Sequence, residues 1–248
     1  MTRVMSYNIR YGGVGKEREL AEVIRAAAPD VVMLQEATHP HVVAHIADAA
    51  GYPHHASRRA YSTGFMSRLP VKSYAWHQPR GARHAFLELV FTEPDLRLYG
   101  LHLSAWFSKW SERRRHFEIR SLLEGIKEHQ HGFHLLLGDF NALAPGERLV
   151  VEKMPRWIRA MVWVSGRDIA RDTIQAMLDA RYADVWRRLN PDSSDPGYTF
   201  PIWDPHVRLD YAFVPMTYAD RVASFEIVKS PAEVATASDH HPIVVTVT

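Results

Sequence analysis

Short runs of consecutive apolar residues, each closed by polar residues, are the feature that most constrains how this chain can fold. Val31 to Leu34 are all apolar and are followed by Gln35-Glu36, and three leucines at 135–137 precede Gly138-Asp139. Runs of this length are typical of strands buried on both faces. The sequence therefore predicts buried sheets whose strand ends carry polar side chains, the position at which rigid scaffolds usually present functional groups.

The remaining periodicity predicts a mixed α/β chain. Leu20, Val23, Ile24 and Ala27 recur at helical spacing and indicate a helix over 16–28 that ends at Pro29. Further helices are predicted at 41–50, 111–128 (with Ser111 as N-cap) and 172–180. Strands are predicted near 3–9, 31–34, 62–67, 84–91, 97–103, 133–137, 208–214, 223–228 and 243–247. Two sheets packed face to face and covered by helices fit this pattern of an α+β (α/β) fold.

Composition narrows the class of protein. The 248 residues show no linker, repeat or low-complexity segment, which favours one domain over 1–248. Cysteine is absent, so disulfides and cysteine-ligated metals are excluded. No stretch reaches the length of a transmembrane segment, and no apolar leader precedes the first strand, so we expect a cytoplasmic protein. The net charge of +2 neither requires nor excludes a nucleic-acid partner.

Polar residues follow the first two predicted strands. Asn8 and Arg10 lie at the exit of the first, where the amide could hold a carboxylate or metal-bound water and the guanidinium could touch a phosphate; a simple turn is the alternative. Glu36 closes the second. A carboxylate next to a buried strand is costly unless it is paired or binds a metal, although it could also face solvent.

Three later motifs carry acid–base residues. His102 alternates with leucines on a strand, a position that also suits a hydrogen-bonded core histidine. Asp139 and Asn141 follow the leucine run and would share one side of an extended chain, where they could orient and deprotonate a water. Asp210 could keep the imidazole of His240 protonated and fix its tautomer.

The ordered set of motifs resembles the endonuclease/exonuclease/phosphatase superfamily. The segments are Tyr7-Asn8, Leu34-Gln35-Glu36, His102-Leu103, Gly138-Asp139-Phe140-Asn141, Arg208-Leu209-Asp210-Tyr211 and Ser238-Asp239-His240-His241-Pro242. This resemblance spans most of the chain and implies a DNase I-like, four-layer α/β/β/α sandwich with one active site at an edge of the two sheets. It also implies a phosphoric ester hydrolase that uses Mg²⁺ or Mn²⁺ for direct attack of water on phosphorus.

The resemblance further implies a role for each matching residue. Glu36 would be the principal metal ligand, with Asn8 and Asp239 beside the metal. Asp139, assisted by Asn141, would orient or deprotonate the attacking water. His240, whose ring would be held by Asp210, would bind the scissile phosphate. His102 would be the second catalytic histidine and would donate to the phosphate or assist the leaving group.

The motifs do not distinguish between a small molecule, a lipid and a nucleic acid as the substrate. His102 stands where the family's base-excision nucleases carry a tyrosine motif, which argues against an abasic-site nuclease. A nuclease acting on DNA or RNA and a catalytically silent binding module on the same fold are the alternatives. Oligomeric state is beyond the reach of the sequence.

Aromatic and basic residues near these motifs are candidates for substrate contact. Trp106 and Trp110 follow His102, and a basic cluster is formed by Lys109, Arg113, Arg114, Arg115 and Arg120. Tryptophans at 157, 163 and 203 could serve the same purpose or line a lid. For the basic cluster, a solvated helix face is the competing interpretation. Three histidines at 39, 41 and 45 lack a zinc-site context, so no zinc is expected there.

Overall fold

Two six-stranded sheets form the framework of the protein. The structure is a computed structural model and describes residues 1–105, 108–147, 150–154, 156–164, 169–192 and 194–248. The strands are β1 Thr2–Asn8, β2 Val31–Gln35, β3 His54–Ser57, β4 Thr63–Ser67, β5 Ser73–His77, β6 Phe86–Phe91, β7 Leu96–His102, β8 His134–Asp139, β9 Tyr182–Asp184, β10 Asp210–Pro215, β11 Val222–Ile227 and β12 Ile243–Val247. The helices are α1 Glu17–Ala27, α2 Pro40–Ala50, α3 Lys109–Gly125, α4 Arg156–Val164, α5 Asp172–Asp179, α6 Val185–Leu189 and α7 Val234–Ala237.

The two sheets have matching topologies. The first has the order β11-β12-β1-β2-β4-β3, and the second has the order β5-β6-β7-β8-β10-β9. A parallel pair lies at the centre of each, β1 with β2 and β7 with β8, and the other neighbours are antiparallel. Consequently, the carboxyl ends of β1 and β2 lie on one edge of their sheet, and those of β7 and β8 do the same in theirs.

Alternating side chains divide the apolar residues of the central strands into three layers. Leu135 and Leu137 of β8 pack in the cluster between the sheets, whereas Leu136 packs in the cluster that contains residues of α3 and α5. In β2, Met33 faces the other sheet and Leu34 joins the cluster with α1 and α2. Because both faces of the central strands are covered, their sequences are continuously apolar. This α+β sandwich confirms the predicted fold class; the assignment of one domain over 1–248 stays a prediction.

Most predicted elements are present, with errors at short or edge segments. The edge strands β3, β5 and β9 and the helices α4, α6 and α7 were not predicted. The long helix begins earlier than expected, because its N-cap is Ser108, whose side chain accepts a hydrogen bond from the backbone N–H of Ser111. The assignment of Ser111 as N-cap was therefore wrong. None of the helices in the described ranges combines the length and apolar character that a bilayer crossing requires.

Candidate active site

The polar residues at the strand ends converge on one edge of the sandwich. His102, Asp139 and Asp210 are direct neighbours across β7, β8 and β10. Asn8 ends β1 in the other sheet, and its side chain reaches across to Asp139. Residues that are far apart in the sequence thus meet where the two sheets face each other.

Asp139 lies at the centre of this arrangement. Its buried Oδ2 accepts a hydrogen bond from Asn8 Nδ2 at 3.1 Å and lies 3.7 Å from His102 Nε2 and 3.8 Å from His240 Nε2. The other oxygen accepts a hydrogen bond from the backbone N–H of Asn141 at 2.9 Å. Burial raises the pKa of Asp139, because a desolvated carboxylate favours its neutral form. A carboxylate with a raised pKa is a better base for water.

Asn141 differs from the expected extended geometry. Its φ is +49°, in the left-handed region, so it does not simply alternate with Asp139 along a strand. The bond from its N–H to Asp139 closes a side-chain turn of the type that Asp and Asn favour. Its side-chain Nδ2 donates to the carbonyl of Leu103 at 3.1 Å, which ties the loop after β8 to the end of β7.

His240 is held against Asp210. Its Nδ1 lies 2.9 Å from Asp210 Oδ2, and the ring of Phe200 packs 4.7 Å from the imidazole. Burial alone lowers the pKa of His240, but Asp210 and Asp139 outweigh it and raise that pKa to about 10. At neutral pH the ring is therefore a cation whose Nε2 points toward Asp139, as a donor to a phosphoryl oxygen requires.

The Asp210→Asn variant is expected to lower the pKa of His240 by at least about 1 unit, because an opposite charge within hydrogen-bonding distance contributes about 1–3 units. A pKa raised in the folded state contributes stability that is complete below the unfolded value of about 6.5 and is lost as pH rises toward about 10. In the Asp210→Asn variant this contribution to stability should be lost at a lower pH than in the wild type, because His240 would lose its proton at a lower pH. An NMR titration of the metal-free protein would measure the ring directly. A midpoint unchanged from the wild-type value would contradict the assigned pair.

His102 has the opposite electrostatic environment. Burial is the main cause that lowers its pKa to about 3, with the charges of neighbouring histidines adding to the effect. Its Nδ1 forms a hydrogen bond with the hydroxyl of Ser62, and its ring stacks on His84 at 5.1 Å between centroids. One neutral and one cationic imidazole thus flank Asp139, an arrangement that separates acid and base roles.

The sequence did not single out Ser62, His84 or Thr199 for the site. The hydroxyl of Thr199 accepts hydrogen bonds from the backbone N–H groups of Leu209 and Asp210. Serine, histidine and threonine are common outside functional sites, and none of these three adjoins a recognisable motif, so no signal in the sequence could have identified them.

Glu36, Asn8 and Asp239 lie around the loop that follows β1. Glu36 has a left-handed φ of +59°, and one of its oxygens accepts from the backbone N–H of Tyr11. Asp239 pairs with Arg10 Nε at 3.2 Å, while the backbone N–H of Arg10 donates to Asn8 Oδ1. Both side-chain atoms of Asn8 therefore have protein partners, and its assignment as a metal ligand stays a prediction. The assignments of Glu36 and Asp239 as metal ligands also stay predictions.

The donor atoms suit a hard divalent cation. Carboxylate oxygens of Asp139 and Asp210 lie within 4.8 Å of each other, and Asp210 Oδ1 is buried without a hydrogen-bond partner among the described residues. Within the described ranges, Glu36 Oε1 also has neither a hydrogen bond nor an ion pair. Carboxylate oxygens in need of positive charge are the ligands that Mg²⁺ and Mn²⁺ prefer.

The residues predicted to contact substrate have varied positions. Arg10 forms an ion pair with Asp239, and its side chain is 42% exposed. Trp110 is 80% exposed, and the guanidinium of Arg113 lies 5.7 Å from its ring centroid. Trp106 lies outside the described residues. These substrate contacts stay predictions.

Part of the basic cluster is not a solvated helix face. Arg115 is fully buried and forms two hydrogen bonds with Glu112, which also accepts from the backbone N–H of Thr173. This pair fixes α3 against α5. The members of the cluster that remain exposed on α3 are Lys109, Arg113, Arg114 and Arg120.

Comparisons with known proteins agree with this geometry. A sequence model described as "Endonuclease/Exonuclease/phosphatase family" matches residues 5–240. An AP endonuclease from Archaeoglobus fulgidus has a similar structure, with a TM-score of 0.74 at 14% identity, covering 100% of this chain and 99% of the other. A 3'-5' exonuclease (NExo) from Neisseria meningitidis has a TM-score of 0.72 at 16% identity and covers 99% of both chains.

A third similar structure is a humanized TDP2 from D. rerio, with a TM-score of 0.66 at 20% identity, covering 100% of this chain and 98% of the other. No curated protein matches the sequence. The three likenesses establish a shared DNase I-like fold, and the family match covers every motif from Asn8 to His240. The chain belongs to the endonuclease/exonuclease/phosphatase family.

Proposed function

We propose that this protein is a divalent-metal-dependent phosphoric ester hydrolase that activates water for in-line attack on phosphorus. The observation that carries the proposal is the buried Asp139 between the cationic His240 and the neutral His102. The family is one of hydrolases that act on phosphoesters, which supports the same reaction class.

Each residue would contribute a distinct part of the reaction. Asp139, with its raised pKa, would accept the proton of the attacking water while Asn8 and the N–H of Asn141 hold its two oxygens. His240 would donate from Nε2 to a phosphoryl oxygen and offset the charge that develops there. His102, whose ring is oriented by the hydrogen bond between Nδ1 and Ser62, would direct Nε2 at a second oxygen or at the leaving group.

A bound Mg²⁺ or Mn²⁺ would supply further positive charge to the phosphoryl group. Glu36 is the proposed principal ligand because its partly buried carboxylate keeps one oxygen free of protein partners in the described ranges. Asp239 would lie beside it, held in place by Arg10.

The Glu36→Gln variant is expected to lose at least about 100-fold in turnover of bis-p-nitrophenyl phosphate, since an amide is a weaker ligand than a carboxylate for a hard cation. Chelation of the wild-type protein should have the same effect, reversed by Mg²⁺ or Mn²⁺. The matched control is Glu22→Gln on the exposed side of α1, which should change nothing. Turnover insensitive both to chelator and to Glu36→Gln would refute the metal-dependent mechanism.

A panel of substrates would determine the substrate class. Nucleotides, sphingomyelin, phosphoinositides, DNA and RNA should each be tested with Mg²⁺, Mn²⁺ and chelator. Hydrolysis of none of them, together with intact folding, would favour the binding-module alternative.

A further inference from the structure

A small pocket lies between the segments around Arg83 and Ser104 and the start of α3. It has a volume of about 250 Å³ and is lined by Arg83, Ser104, Ala105, Trp110, Ser111 and Arg114. Arg83 immediately precedes His84, whose ring stacks on that of His102, and Ser104 follows His102 by two residues. The chain segments that carry His84 and His102 therefore also supply two walls of this pocket.

Buried charges fix the walls of the pocket. The carboxylate of Glu118 accepts hydrogen bonds from the backbone N–H groups of Arg83 and Ser104 and from the Ser104 hydroxyl, at 2.9–3.1 Å. Arg115 Nη1 donates to the carbonyl of Ser104 at 2.9 Å. Two otherwise distant segments are thereby held against α3, so the pocket is preorganised for a ligand.

The lining combines positive charge with an exposed aromatic ring. Arg83 and Arg114 are exposed, and neither guanidinium forms an ion pair with any residue that the structure describes. Trp110 is 80% exposed at the same pocket. Paired guanidinium groups match the oxygens of a phosphate, and a flat indole can stack on a nucleobase.

We propose that this pocket binds the neighbouring nucleotide of a single-stranded nucleic acid, with its phosphate between Arg83 and Arg114 and its base stacked on Trp110. This inference rests on the proposed phosphoesterase function and names its substrate class. A paired base inside a duplex would not be free to stack on the indole, so the pocket selects unpaired strands or overhangs.

Binding can be measured without catalysis. Fluorescence anisotropy of a labelled single-stranded oligonucleotide in chelator should show at least a tenfold rise in Kd for the double variant Arg83→Ala/Arg114→Ala. The slope of log Kd against log salt concentration should fall by about 0.7 for each phosphate that the variant no longer neutralises. Trp110→Ala should also weaken binding, and Trp110→Phe should restore part of it.

Arg18→Ala is the matched control, because Arg18 is an exposed arginine on α1 and does not line the pocket. Its Kd should equal that of the wild type. With metal present, the double variant should also show a reduced ratio of oligonucleotide turnover to bis-p-nitrophenyl phosphate turnover. Absence of that small-diester reaction in the wild type would count against the proposed function, whereas the anisotropy result would still decide the pocket.

Two results would overturn the pocket assignment. One is an unchanged oligonucleotide Kd and salt slope in both the double variant and Trp110→Ala. The other is that these variants bind the oligonucleotide normally but bind vesicles of phosphatidylserine and phosphatidylcholine less tightly than the wild type does, which would identify a lipid surface as the ligand.

Discussion

Replacing Asp139 by Asn is expected to lower kcat for phosphoester hydrolysis by about 10²–10⁴-fold, the range that a positioned general base contributes. Asparagine retains an oxygen that can accept the backbone N–H of Asn141, so the local turn should persist. What disappears is the group able to take a proton from water. The effect should fall on kcat more than on KM, because the carboxylate acts on the attacking water.

The control for this prediction is Asp48→Asn, which changes an exposed carboxylate on α2. Steady-state kinetics on bis-p-nitrophenyl phosphate, with circular dichroism to verify folding, would provide the comparison. If Asp139→Asn kept more than about one tenth of the wild-type kcat, Asp139 would not be the base.

Arg208→Ala is expected to reduce the free energy of unfolding by about 3–5 kcal/mol, because it leaves buried carboxylates without their cation. Arg208 is buried, donates to both oxygens of Asp184 at 2.6 and 2.9 Å, and donates to Glu147 at 2.9 Å. Its guanidinium also lies 4.2 Å from the ring centroid of Tyr211. This network fixes the chain just before Asp210, so the variant should also disturb the site.

Urea denaturation followed by circular dichroism would measure the decrease in stability. The matched control is Arg188→Ala, whose partner Asp220 is almost fully exposed and whose ion pair should contribute at most about 1 kcal/mol. Equal decreases for the two variants would show that the buried network does not stabilise the fold. Arg208→Lys should recover only part of the stability, since lysine cannot form the two-pronged contact with Asp184.

The central strands and the principal site residues could be predicted because each has a strong local cause. A strand covered on both faces is apolar throughout, so β2 and β8 could be recognised from their sequences. The polar residues at the ends of these strands are exceptions to that pattern. The edge strand β5 could not be recognised in the same way, because it is partly exposed and its side chains follow no strict pattern. The short helices likewise lack enough turns for a periodic signal.

Local patterns along the chain were enough to establish the α+β class, the strand ends that carry Asn8, Glu36, His102 and Asp139, and the family pattern. The pairing of Asp210 with a protonated His240 was suggested by the sequence, but the other contacts of the site and the low pKa of His102 became known only from the folded arrangement. The opposite pKa shifts of His102 and His240 arise from burial and from carboxylates that are distant in sequence, and Ser62 and His84 join the site through packing alone. Local sequence encodes the alternation of a strand, whereas desolvation and charge proximity depend on which segments the fold brings together.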